Sequence, residues 1–291
     1  METNNMPNAI EISHLTKRYT LFHLDDLNLT LPGGSILGLI GENGAGKSTT
    51  IKCILNLIHR DGGSITVLGR DSIKDERSIK EDVGVVLDEA TFHDTLTAQD
   101  VDKILSKVYQ KWDAALFLSY LKKFDLPKNL FLKEFSRGMK MKLSIAAALA
   151  HHPRLLILDE ATSGLDPVVR DEILDEFLSF IRDEDHSILI SSHITSDLEK
   201  VADYVTFLHK GKVALSGAKD ELLDTYGRLV CGRADLEAVD SAFLAGTRAG
   251  QFSSEALVKD RRAFARRYPH LTVDPVSLEG LMVLMVKGDA K

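Results

Sequence analysis

Cysteine is nearly missing from this sequence: Cys53 and Cys231 are the only two among 291 residues. Two thiols so far apart imply no disulfide framework and supply no cysteine cluster for a metal. They read as small core residues of a reduced, cytosolic protein. Long apolar runs are missing too. None approaches the ~20 residues that a helix needs to cross a bilayer; the longest, 143–150 and 155–158, read as a buried helix and a buried strand. Residues 1–9 have neither the basic start nor the apolar stretch of a secretion signal. Any service to a membrane is therefore expected from outside the bilayer, with the spanning part on another chain. Positive charge is in deficit: 36 basic residues face 43 acidic ones, a formal net charge of −7. Without a global positive field, nucleic acid is not the expected partner, although a local basic pocket for a nucleotide stays open. The sequence shows no internal repeat, low-complexity tract or heptad run.

What is present is a core-building pattern. Hydrophobic residues make up 44%, enough for one large domain, or for one with a small addition. Residues 10–31 are strand-like, with Leu27, Leu29 and Leu31 alternating with polar residues before Pro32-Gly33-Gly34. Residues 36–40 form a short apolar run of the kind buried on both faces. After a glycine-rich loop, 47–58 predicts a helix with Ile51, Ile54, Leu55 and Ile58 on one face, ended by Gly62-Gly63. From Thr91 to His152 the spacing turns helical. Val101, Ile104, Leu105 and Val108 follow it, then Leu116, Phe117, Tyr120, Leu121 and Phe124 before Pro127. This is a helical insertion in an α/β frame. Strand signals return at 155–158, 188–191 and 205–208; between them Asp166-Pro167 opens a helix, with Asp as N-cap. Lys210-Gly211 marks a hairpin turn and Gly227 a helix stop. After Arg228 the periodicity weakens, and the rest reads as a small separate appendage.

Gly41-Glu42-Asn43-Gly44-Ala45-Gly46-Lys47-Ser48, followed by Thr49, satisfies G-x-x-x-x-G-K-[ST] between a buried strand and a helix. The glycines let backbone N–H groups turn inward around phosphates, and the helix start adds its positive dipole end. Lys47 is placed to reach the β- and γ-phosphates, and the Ser48 hydroxyl to ligate Mg²⁺. A second apolar run, 155–158, ends in Asp159-Glu160. In P-loop proteins an acid at this strand end holds Mg²⁺, which makes Asp159 the magnesium-side residue. Strand alternation turns Glu160 to the other face, where it would polarise an attacking water as general base. The competing reading, two acids that merely punctuate a surface, loses weight beside the phosphate cradle.

Phe135-Ser136-Arg137-Gly138-Met139 precedes that acid pair, Ser163-Gly164-Leu165-Asp166 follows it, and Ser191-Ser192-His193 ends the next strand. In this order and spacing the chain resembles the ABC ATPase family over about 10–227. The resemblance implies an α/β P-loop NTPase core with an N-terminal antiparallel β subdomain and a helical insertion at about 91–152. Together these make an ATPase domain over 8–227, followed by a small C-terminal α+β accessory domain over 228–291. It implies ATP and Mg²⁺ as cofactors. It also implies a second copy of the chain as head-to-tail partner and a separate integral membrane permease that holds the subunit against the inner face of the membrane. Ser136, Arg137 and Gly138 would contact the γ-phosphate of the partner's ATP, His193 would bond the γ-phosphate and position the water, and Asp166 would act at the dimer seam. Tyr19, in Lys17-Arg18-Tyr19, matches the aromatic that stacks on adenine.

Two residues depart from the family's pattern. Asp88 stands where the family has glutamine, offering a charged oxygen and no donor; it is expected to approach the metal beside Ser48 and Asp159. Arg137 stands where the signature has glycine, and either strengthens or crowds contacts to the γ-phosphate in trans, or faces solvent or the membrane partner. Altered signatures with a short C-terminal appendage look like those of ABC-2-type exporter ATPases, including subunits that export bacteriocins, lantibiotics, bacitracin-like antibiotics and amphipathic toxin peptides. The expected function is thus ATP hydrolysis that drives peptide or antibiotic export, with 91–100 as the expected contact with the permease. The alternative is a soluble ABC ATPase on ribosomes or DNA, disfavoured by one cassette, no heptads and an acidic balance. A P-loop kinase or GTPase gives no account of the signature or of His193.

Overall fold

The computed structural model describes residues 6–88, 92–250 and 252–287. Thr91, the first residue of the expected insertion and permease contact, lies outside them, as do residues 288–291 of the expected appendage. The chain opens with β1 (Ile10–Arg18) and β2 (His23–Leu31), joined by a turn in which the Tyr19 N–H donates to the Phe22 carbonyl at 2.7 Å. Leu27, Leu29 and Leu31 are buried, as the alternation predicts, and Leu24 is buried out of phase with them, across Asp26 at a left-handed φ of 54°. Next come β3 (Ile36–Gly41), buried at every residue, and α1 (Lys47–Ile54). The helix stops short of the expected Ile58, and the cause is local. Asn56 takes a left-handed φ of 53°. Its N–H reaches the Cys53 carbonyl at 3.2 Å while the Leu57 N–H reaches Lys52 at 2.9 Å, a Schellman closure. Gly62-Gly63 do not end the helix; they begin β4 (Gly62–Val67), followed by β5 (Arg70–Asp71), α2 (Glu76–Glu81) and β6 (Val83–Val86). Burial pushes the Cys53 thiol up to about 11, so it is an inert core residue, as expected.

The expected insertion contains α3 (Ala98–Val108), α4 (Ala114–Lys123) and α5 (Arg137–Leu149). Thr97 and Asp100 form a reciprocal capping box on α3, and Asp113 caps α4. Val101, Phe117 and Leu121 are fully buried, but Ile104 and Val108 are exposed, so only part of the apolar stripe of α3 is covered. The chain continues with β7 (Leu155–Asp159), α6 (Pro167–Phe180), β8 (Ser187–Ser192), α7 (Thr195–Val201), β9 (Tyr204–His209), β10 (Lys212–Ala218) and α8 (Lys219–Thr225). Gly227, expected as a helix stop, directly follows the cap of α8 and opens β11 (Gly227–Cys231). After it come α9 (Arg233–Ala238), β12 (Leu244–Ala249), β13 (Ser254–Val258), α10 (Arg261–Arg267), β14 (Val273–Pro275) and α11 (Leu278–Lys287).

Three sheets result. The N-terminal one is antiparallel, ordered β2-β1-β4-β5, matching the expected β subdomain. The central one is ordered β10-β9-β3-β8-β7-β6 and is parallel apart from β10. The C-terminal one is ordered β12-β13-β11-β14 and antiparallel. The region after Gly227 is less separate than its sequence suggested. Leu278, Leu281 and Leu284 of α11 share one buried cluster with Leu198 and Val201 of α7, and the Leu278 N–H donates to the Glu199 carboxylate at 2.7 Å. A smaller cluster, built from Leu229, Val239, Ala256, Val258 and Phe264, is confined to the C-terminal region.

Candidate functional site

Because β3, β6, β7 and β8 are parallel, the residues that leave their C-terminal ends gather along one edge of the sheet. Open α/β sheets place ligands there. Gly41 ends β3, Asp88 follows β6, Asp159 ends β7 with Glu160 next, and His193 follows β8. Residues far apart in sequence are thus neighbours for topological reasons.

The loop between β3 and α1 makes the cradle. Gly46 is the N-cap of α1 with φ of 113°, and a Cβ there would lie 2.6 Å from Leu24 Cδ2. No other residue fits both constraints. No side chain caps α1 and no acid stands in its first turn, so its free N–H groups and dipole point at an anion site. Glu42, Asn43, Gly44, Gly46, Lys47, Ser48 and Thr49 line one pocket, with Asp88 and Glu160 on its far wall. Gly41 and Ala45 are buried behind it.

Lys47 is only 5% exposed. Its Nζ donates to the Gly41 carbonyl at 2.8 Å and lies 3.1 Å from Glu160 Oε1. The other oxygen of Glu160, Oε2, is 2.7 Å from His193 Nδ1. The base, the phosphate-binding lysine and the histidine of the sequence reading therefore form one connected group. Strand alternation is not what aims Glu160: β7 ends at Asp159, and Glu160 has a left-handed φ of 53°. That conformation is held by its N–H, which donates to Ser191 Oγ at 3.1 Å. Ser191 Oγ in turn donates to Asp159 Oδ1 at 2.5 Å. Ser191 is the residue the sequence reading passed over. Its signal was a hydroxyl at the end of the strand read at 188–191; it is 0% exposed, and a buried polar group needs partners.

Tyr19 stands at the end of β1, half exposed, with the Lys17 ammonium 5.2 Å from its ring centroid. On that side of the pocket the lining residues are Leu21 and Phe22 of the same turn, which sequence reasoning did not single out. Ser136 is the N-cap of α5, its Oγ accepting from the Met139 N–H at 3.2 Å. Nothing in this chain requires glycine at 138, because a Cβ there would meet Val169 at 3.4 Å, an ordinary contact. Asp166 caps α6, accepting from the Val168 and Val169 N–H groups at 3.1 Å each. Ser136, Arg137, Gly138 and Asp166 line a second surface hollow. Asp88 does not stand free: Arg137 Nη2 donates to its Oδ1 at 3.1 Å.

The oxygen donors near the cradle, the Ser48 hydroxyl and the Asp159 and Asp88 carboxylates, are hard ligands of the kind Mg²⁺ prefers. Among the described residues no three or more His, Cys, Asp or Glu gather as a metal cage. Also among the described residues, no helix is long and apolar enough to cross a membrane.

A family profile described as ABC transporter matches residues 24–163. The lantibiotic transport ATP-binding protein SrtF of Streptococcus pyogenes is 37% identical over 217 residues, 72% of this chain and 91% of that protein. The bacitracin transport ATP-binding protein BcrA of Bacillus licheniformis is 36% identical over 211 residues, 72% of this chain and 69% of that protein. Among solved structures, an ATP-binding subunit of an ABC transporter is 28% identical, with a TM-score of 0.66 over 74% of this chain and 91% of that one. The cassette MJ0796, solved as a dimer after hydrolysis with ADP and Pi, shares the fold at 21% identity, with a TM-score of 0.66 over 72% of this chain and 98% of that one.

Proposed function

This chain belongs to the ABC transporter family as an ATP-binding and ATP-hydrolysing subunit, and from that premise we propose that two copies close head to tail around two ATP molecules to drive a separate membrane permease. The observation that carries the reading is the connected group Lys47–Glu160–His193, whose Lys47 and Glu160 line the phosphate pocket. Lys47 binds the β- and γ-phosphates, and its exchange of Glu160 for phosphate frees that carboxylate to accept a proton from water. His193 holds Glu160 from the other side and bonds the γ-phosphate. Ser48 and Asp159, with Asp88, would hold Mg²⁺, which when bound would supply positive charge against the phosphates. Ser191, bonded to both acids of the pair, fixes their geometry. Tyr19 stacks on adenine after exchanging its Lys17 contact.

The signature surface completes the site in trans. Ser136 and the Gly138 N–H, in the first turn of α5, face the partner's γ-phosphate, where a helix start favours an anion. The lack of any steric need for glycine at 138 within one chain supports a close approach from another molecule. Asp166 lies at the seam.

The relatives named for bacitracin and lantibiotic transport support peptides or antibiotics as the cargo, moved out of the cell, with the subunit on the inner membrane face. Co-expression with the membrane protein encoded beside it, then purification in detergent, tests the pairing. Co-elution with ATPase activity that rises when a lantibiotic-like peptide is added is the expected result. A monodisperse ATPase that never retains the membrane protein would overturn the reading.

A further inference from the structure

Asp88 and Arg137 are 49 positions apart, yet the fold brings them together in one chain. Asp88 lines the phosphate pocket with Lys47, Ser48 and Glu160. It also lines the neighbouring groove with Leu87, Phe135 and Lys140. Arg137 lines that groove too, and on its other side the hollow with Ser136, Gly138 and Asp166. The pair therefore sits where the cradle, the groove and the signature surface meet. Gly164, at a left-handed φ of 69°, closes over the guanidinium; a Cβ at that position would lie 2.7 Å from Arg137 Nη1. Lys140, one turn further along α5, bonds Asp94 at 2.6 Å. The Lys133 N–H donates to the Asp94 carbonyl at 3.0 Å and the Leu132 N–H to the Leu96 carbonyl at 2.9 Å. Residues on both sides of the 89–91 stretch are thus fastened to the start of α5 or the turn before it.

The two charged side chains are 56% and 53% exposed. An ion pair that open to water holds weakly and exchanges readily. A divalent cation near the phosphates carries twice the charge of a guanidinium and binds carboxylate oxygen directly. We infer that Arg137 is a positioning residue for Asp88. It holds this carboxylate at the rim of the pocket by a bond that Mg²⁺ displaces when nucleotide binds, so loading of the cradle releases the signature segment from the segment after β6. This rests on the reading of Asp88 as a metal-side residue given above.

The test uses the full chain and a fluorescent, slowly hydrolysed ATP analogue. The free Mg²⁺ concentration at half-maximal binding is measured for the wild type, Arg137→Ala, Arg137→Lys, Asp88→Asn and the double variant Asp88→Asn/Arg137→Ala. Removing the competitor lowers the midpoint in Arg137→Ala by roughly two- to fivefold, the range an exposed pair allows. Asp88→Asn raises it, and the double variant matches Asp88→Asn. Arg137→Lys falls between Arg137→Ala and wild type, since an ammonium lacks the planar fork. Both positions are half exposed, so thermal melting of each variant stays at the wild-type value and loss of fold does not enter. A midpoint that moves with Asp88→Asn but not with Arg137→Ala overturns the pair and leaves the metal role of Asp88 standing. The same holds if Arg137→Ala shifts it equally with and without Asp88. A midpoint indifferent to Asp88→Asn overturns both.

Discussion

Lys47 is held by charge and geometry at once. A buried ammonium without a counter-ion is costly, and here the Gly41 carbonyl and Glu160 satisfy it. Under the proposed function, the phosphates of ATP would replace Glu160 as its partner. Lys47→Ala removes that charge-assisted contact, worth about 1.5–3 kcal/mol. Affinity for a fluorescent ATP analogue is expected to fall by roughly 10- to 150-fold, measured by equilibrium titration. An unchanged affinity would mean that the lysine does not touch phosphate. A second residue, His151, has a structural role with a pH signature. It is 1% exposed, its Nε2 lies 3.2 Å from the Val83 carbonyl, and its ring stacks on Tyr109 at 4.0 Å. Burial holds its pKa below the ordinary 6.5, against the opposing bond to Val83 and the charge of Glu81. The unfolded chain therefore binds this proton more readily than the folded one. Stability is full above about pH 6.5 and falls as pH drops below it toward the lowered folded value. Replacing His151 by Phe keeps the stack and removes the titration. The loss of melting temperature between pH 7.5 and 5.5 is expected to be smaller in His151→Phe than in the wild type, by differential scanning calorimetry.

At the scale of elements, α11 binds the C-terminal region to the ATPase core, because Leu278, Leu281 and Leu284 pack with Leu198 and Val201 of α7. Leu281 is 0% exposed. Leu281→Ala leaves a cavity in that shared cluster, at a cost of about 2–5 kcal/mol. Since α7 directly follows His193, the loss is expected to lower the melting temperature of the whole chain in one transition. A separate early transition, with the main one unmoved, would show that the C-terminal region melts on its own. Elements written in neighbouring residues were legible from sequence: the alternation of Leu27, Leu29 and Leu31, the Asp166-Pro167 helix start, and the glycine spacing of the cradle. What escaped depends on backbone states or on distant partners. The end of α1 turns on Asn56 at a positive φ, and the aim of Glu160 on another positive φ that a serine from the next strand stabilises. The bond between Arg137 and Asp88 has no local pattern, and the shared core of α11 arises from contacts across some eighty positions, as between Leu278 and Glu199.

At the scale of the whole molecule, the proposed head-to-tail pairing divides one site between two surfaces. The cradle holds Lys47, Ser48 and the acids, while Ser136, Gly138 and Asp166 gather in a second surface hollow. In the head-to-tail pairing proposed above, Ser136 and Gly138 of each copy would face the phosphates in the other's cradle, and such a pairing closes on itself. Val168, 68% exposed beside Asp166, is apolar surface available to be covered in that pair. The net charge of −7 opposes association of two copies, so the closed state needs the contacts that ATP supplies from both sides. Glu160→Gln keeps the shape of the side chain and its capacity to bond His193, but it cannot take a proton from water. In this variant Mg²⁺ and ATP are expected to give a stable dimer by light scattering, with turnover reduced at least 100-fold, the scale of a lost general base. The same variant with ADP stays monomeric, because the γ-phosphate contacts are missing. A single-chain mass with ATP and Mg²⁺, even in the presence of the membrane subunit, would show that the signature surface serves something other than a second copy.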